Sequence, residues 1–147
     1  MTQSISITIP TNIPLDRIRS LLTGAFEGGS NYWMGIHSYK LPHNRKPSFY
    51  GKGSDLQPID DWWPQYILIP TTDGTLLLED QEEFAGEEYI NDQGLYELNM
   101  AKIISGLKVF SELKPARHFA NFLSEDDDAE TSDVFLQCCL FGDIIYG

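Results

Sequence analysis

The chain has 147 residues, 41% of them hydrophobic, a length that suits one domain whose core buries roughly two-thirds of the unfolded chain's surface. Its 22 acidic residues outnumber 10 basic ones, and the net charge of −12 argues against an ordinary nucleic-acid binder, which gains affinity by neutralising phosphates. No apolar run approaches the ~18 residues of a membrane span, and MTQSISITIPTNIP lacks the basic start and long apolar stretch of a secretory signal, so the expected compartment is the cytoplasm.

In chain order, SISITIP alternates Ile5, Ile7 and Ile9 with Ser and Thr, the period of a half-buried strand ending at Pro10. IPLDRIRSLLTGAFEGG then places Leu15, Ile18, Leu22, Ala25 and Phe26 on one helical face, with Pro14 in the first turn and Gly28 positioned as a left-handed C-cap. NYWMGIHSYK reads as a strand, with Gly35 marking a bulge or a close backbone approach. From Leu41 to Pro64, four prolines and two glycines predict a long ordered loop.

Two extended runs follow, Tyr66 to Pro70 and Thr75 to Glu79, joined around Asp73-Gly74 as a hairpin. After a polar turn at Asn91 to Gly94, Leu98, Ala101, Ile104, Leu107 and Phe110 line one face of a helix that Pro115 ends, and Gly106 weakens it slightly. ARHFANFLS predicts a short helix. A last helix starts near Asp127, three residues before Glu130 as in a capping box, buries Val134, Phe135, Cys138, Phe141 and Ile145, and is interrupted or capped at Gly142. Strands mostly first and helices mostly last imply a single α+β domain over 1–147, a small mainly antiparallel sheet with helices packed on one face.

The blocks LLTGAFEGGSNYW and RHFANFLSEDDDAETSDVFLQCCLFGDIIYG, about a third of the chain, resemble a family of small tailed-phage and prophage proteins, most without an assigned function. The resemblance implies a phage-related protein working in the host cytoplasm. It supplies no catalytic residue, and the middle of the chain, from Gly35 to Lys114, does not share it.

Chemistry in the sequence is sparse. Gly28-Gly29-Ser30-Asn31 lies at a helix C-terminus, the wrong end of the dipole for a phosphate cradle, and no GxxxxGK[ST], GxGxxG or GxSxG motif occurs. No nucleophile stands out, and the expectation is a protein without catalysis, cofactor or metal. His37, His43 and His118 have no ligand spacing, and the adjacent Cys138 and Cys139 read as buried free thiols.

What remains is a binding reading. Gly28, Gly29, Ser30 and Asn31 offer hydrogen-bonding groups, Tyr32 and Trp33 offer flat rings, Arg117 offers a fork for an anion beside His118, and Asp133 and Gln137, four apart on a helix, could close a polar pocket. The bland counterparts are a capped helix running into a strand with core aromatics, a surface ion pair for Arg117, and a solvated helix face for Asp133 and Gln137. The first function expected is non-catalytic capture of a small anionic or nucleotide-like ligand, a host immune signal in its concrete form, at a homodimer interface without direct nucleic-acid or membrane contact. The alternative is an acidic, DNA-mimic-like interaction protein that blocks a host nucleic-acid-binding enzyme with the carboxylates of 79–88 and 125–133. Two tests separate them: steep salt sensitivity, and whether those two runs merge on the surface.

Overall fold

A computed structural model describes residues 12–50, 63–82, 86–113, 116–126 and 128–147; the expected strand at Ile5–Ile9, residues 51–62 of the expected loop and Asp127 lie outside them. Pro14, whose carbonyl accepts Arg17 N at 3.0 Å, leads into α1 (Leu15–Gly24). The buried stripe is Ile18, Leu21 and Leu22, continued by Ala25 and Phe26, whereas Leu15 is exposed. The helix then widens into a π turn over Ala25–Gly29, where Ser30 N reaches back five residues to Ala25 O at 2.9 Å. Gly28 has φ 172°, an extended conformation and not the expected left-handed cap, because the π turn carries the chain out of the helix without one.

Among the described residues the sheet has three antiparallel strands in the order β1 (Met34–Lys40), β2 (Thr75–Asp80), β3 (Tyr96–Leu98). β1 and β2 pair from Met34 with Asp80 to Lys40 with Thr75, with a register irregularity between Ile36 and Ser38, just past the expected Gly35. Leu76 and Leu78 of the central strand join the main core, and Leu77, on the alternate face, is buried as well.

The expected hairpin does not form. Gln65–Leu68 is a short helix, α2, opened by Pro64, whose carbonyl accepts Ile67 N and Leu68 N at 3.0 Å. Ile67, Leu68 and Ile69 are all buried, and a short apolar run buried on every side carries no period that separates strand from helix. Asp73-Gly74 therefore joins a helix to β2, whose partners are distant in sequence. The predicted helix after Gly94 also starts late: Tyr96–Leu98 pairs with β2, and Asn99 caps α3 (Met100–Glu112) by accepting Lys102 N at 3.0 Å. The buried face of α3 is Ile103, Gly106 and Phe110, with Ile104 turned out at 64% exposure, so the expected stripe is rotated.

α4 (Arg117–Leu123) is short, as expected, and α5 (Ala129–Phe141) is the pillar of the fold. Asp128 caps its N-terminus through Thr131 N at 2.9 Å, one residue after the expected Asp127, and Gly142 at φ 68° ends it in the left-handed conformation. Every residue from Thr131 to Phe141 is buried, the pattern of a helix covered all round and not of one with a single core face. Ile145, expected on that buried face, lies beyond the helix and is exposed. Close packing requires two glycines. A Cβ on Gly29 would strike the Ala129 carbonyl, and one on Gly106 would strike the Cys139 backbone, so α5 sits against the π turn on one side and α3 on another. The fold is α+β.

Candidate functional site

A helix buried all round must satisfy its own polar side chains, and α5 carries Thr131, Ser132, Asp133 and Gln137 inside the core. The loop between the π turn and β1 supplies the partners for Asp133. It is tightened by Trp33 N and Met34 N donating to Ser30 O at 3.1 and 3.2 Å, and its start is pressed onto α5 at Gly29. Asp133 Oδ1 accepts Ser30 Oγ at 2.8 Å and Trp33 Nε1 at 2.7 Å, while Oδ2 accepts Tyr32 Oη at 2.7 Å and Gln137 Nε2 at 3.1 Å. A carboxylate has about four acceptor positions. All are used by the protein itself.

Gln137 is equally committed. Its Oε1 accepts Ile145 N at 2.7 Å and Tyr146 N at 2.8 Å, and its Nε2 also donates to Tyr146 O at 3.0 Å, pinning the strap 142–147 across the loop. The Tyr146 ring stacks on Trp33 with centroids 5.1 Å apart, and Phe141 and Tyr96 close the other sides. A second carboxylate, Asp80 at the end of β2, accepts Tyr146 Oη at 2.6 Å and also Tyr96 Oη. Burial, and then the hydrogen bonds to Asp133 and Asp80, holds the Tyr32 and Tyr146 phenols well above their ordinary value.

Five of the residues expected to bind a ligand, Ser30, Tyr32, Trp33, Asp133 and Gln137, are thus brought together from opposite ends of the chain. The structure spends them on one another. Trp33 is fully buried with no ring face left for a guest, a correction to the sequence reading, and Tyr32 is 44% exposed while its hydroxyl is engaged. Gly28 and Asn31 stay on the surface and Gly29 serves packing. Arg117 and His118 stand apart from this cluster at the first turn of α5. Arg117 Nη2 pairs with Glu130 Oε1 at 3.0 Å, the ion pair given as its bland reading, and buried His118 shares a hydrogen bond with Thr131 Oγ1 at 3.0 Å.

Sequence reasoning missed Asp80, Tyr96 and Tyr146, which carry no spacing that ties them to Trp33. It also missed a cavity of about 490 Å³ between α3 and α5, lined by Tyr89, Asn99, Lys102, Ser105, Cys139 and Phe141 among others. An adjoining cavity of about 220 Å³ shares Tyr89 and Lys102 and adds Glu88 and Glu97. Burial pushes the Cys138 thiol up to about 12 and holds Cys139 well above its ordinary value, which leaves both poor nucleophiles and poor ligands at neutral pH. Among the described residues no group of three or more His, Cys, Asp or Glu could hold a metal ion, and no helix is long and apolar enough to cross a membrane. Comparison with known proteins returns no matching family model, curated protein or solved structure.

Proposed function

We propose that this chain is a non-catalytic acidic interaction protein that occupies the basic surface of a nucleic-acid-binding partner, in keeping with the phage-related role that the sequence resemblance implies. One observation carries the reading: a part of each acidic run reaches the same loop. Gln81 N donates to Trp33 O at 2.7 Å, which sets the residues after β2 against it, and Gly29 abuts the Ala129 carbonyl, which sets the first turn of α5 beside it. Glu82, Glu125, Asp126, Asp128 and Glu130 are exposed; Glu125 has Arg17 Nε at 4.0 Å and Glu130 pairs with Arg117 at 3.0 Å. Much of the positive charge is spent elsewhere, with Lys40 on Glu97, Arg45 on Asp73 and Arg19 on Asp16.

This reverses the order of the two functions expected from sequence, because a sealed Trp33 and a saturated Asp133 have nothing left for a nucleotide. Capture of a small anionic ligand keeps one supporting observation, the α3–α5 cavity with Lys102 on its wall, whose volume lies within the range of small-molecule sites. Native mass spectrometry on the protein recovered from phage-infected cells separates the readings. A protein partner retained at low salt and shed at moderate ionic strength is expected. A retained small molecule insensitive to salt would overturn the proposal and restore ligand capture.

A further inference from the structure

The strap is held as a bound peptide is held. Gln137 reads its backbone at three points, accepting Ile145 N and Tyr146 N on Oε1 at 2.7 and 2.8 Å and donating Nε2 to Tyr146 O at 3.0 Å. The Tyr146 ring lies on Trp33 with 19° between the planes, and its hydroxyl donates to Asp80 Oδ2 at 2.6 Å. A short extended segment and one aromatic ring are thereby recognised by a glutamine of α5, a tryptophan of the 30–33 loop and a carboxylate of β2. The groove and its occupant are both visible, and the occupant is a piece of the same sequence.

The connection to α5 is slight by comparison. Residues 142–147 form neither helix nor strand, and all but Tyr146 are exposed. The chain leaves α5 at Gly142, φ 68°, and reverses over Gly142 to Ile144, where Asp143 Oδ1 accepts Ile144 N at 2.7 Å, so that Ile145 meets a glutamine eight positions before it. A short hinge bent into a reversal invites exchange, because a second copy receives the same segment with the same contacts and without the bend. None of the contacts to Gln137, Trp33 or Asp80 depends on which copy supplies the segment. We propose that this groove is an interface between two copies of the chain, each lending residues 143–147 to the other, with Gly142 as the pivot and the partner's Tyr146 on Trp33. The exchange goes beyond the acidic-interaction reading and does not rest on it. It also responds to salt in the opposite sense: two chains of net charge −12 repel, so screening favours the pair, whereas it weakens a complex with a basic partner.

The test is sedimentation of the full chain over a wide concentration range at low and moderate salt, with a synthetic peptide of residues 143–147 as competitor. The expected result is a dimer that grows with concentration, is favoured at moderate salt, and dissociates when the peptide is added in excess. Tyr146→Ala removes the ring that fills the groove and is expected to weaken the dimer by roughly tenfold or more, while Tyr146→Phe, which keeps the ring and loses the bond to Asp80, lies between. Circular dichroism checks that the variants are folded; if Tyr146→Ala is not, competition by the peptide against the unaltered chain decides alone. A monomer at every concentration overturns the inference, and so does a dimer that ignores the peptide, since its interface would lie elsewhere. Either result leaves the acidic reading untouched, and loss of the salt-sensitive partner would overturn that reading without bearing on the exchange.

Discussion

Asp133 is the residue on which the loop 30–33 and, through Gln137, the strap 142–147 converge. It is 7% exposed and accepts from a serine, a tyrosine, a tryptophan and a glutamine, none of which brings a positive charge. Removing it leaves Trp33 Nε1, Ser30 Oγ and half of the Gln137 amide unpaired in the interior, each a desolvated donor without an acceptor. Asp133→Ala is therefore expected to cost about 3–5 kcal/mol in chemical denaturation, well above a surface substitution. A loss below about 1 kcal/mol would show that the four hydrogen bonds are not what holds the loop to α5. The sequence placed Asp133 and Gln137 on one helical face, and that spacing is what they use. It could not say that the face points inward, since a polar pair four apart looks the same on a solvated helix and inside a core.

At the scale of elements, α5 shows how a helix surrounded on all sides is misread by periodicity. A single buried face is legible as a repeat of apolar residues; a helix buried all round has no contrast between faces to read. Its neighbours must then make room, and Gly106 of α3 does so at the Cys139 backbone. Intrinsic propensity would make Gly106→Ala a gain of about 1 kcal/mol. The collision is with main-chain atoms that cannot rotate away, and overpacking of this kind costs about 1–3 kcal/mol. The net expectation is destabilisation, with a melting temperature lowered by several degrees in calorimetry; an unchanged or raised value would mean that α3 and α5 can separate freely. The lost hairpin has the same origin as the misread helix. β2 takes its partners from Met34–Lys40 and Tyr96–Leu98, and strand pairing at that separation leaves no local trace beside Asp73-Gly74.

For the whole molecule, the alkaline limb of stability follows from phenols and thiols that the fold partly or wholly desolvates. In the unfolded chain tyrosine ionises near 10.0 and cysteine near 9.0, whereas in the fold Tyr32, Tyr50, Tyr66 and Tyr146 are held higher and Cys138 reaches about 12. Above the unfolded values the unfolded state therefore binds fewer protons than the native one, and stability falls as pH rises. Their contribution is complete below about pH 9 and declines from there upward, which denaturation midpoints measured from neutral to strongly alkaline pH would follow. A flat profile across that window would contradict the burial of these groups.

Composition and local pattern by themselves determined that the chain is α+β, strongly acidic, and built with a helix before the first described strand and helices at its end, because charge, length and the repeat of apolar residues are properties of neighbouring positions. Only tertiary structure decided what the residues after the first helix do. Whether a tryptophan faces a ligand or a tyrosine depends on what stands on its far side, and here that is Tyr146, 113 positions away in sequence, carried there by the strap that Gln137 holds.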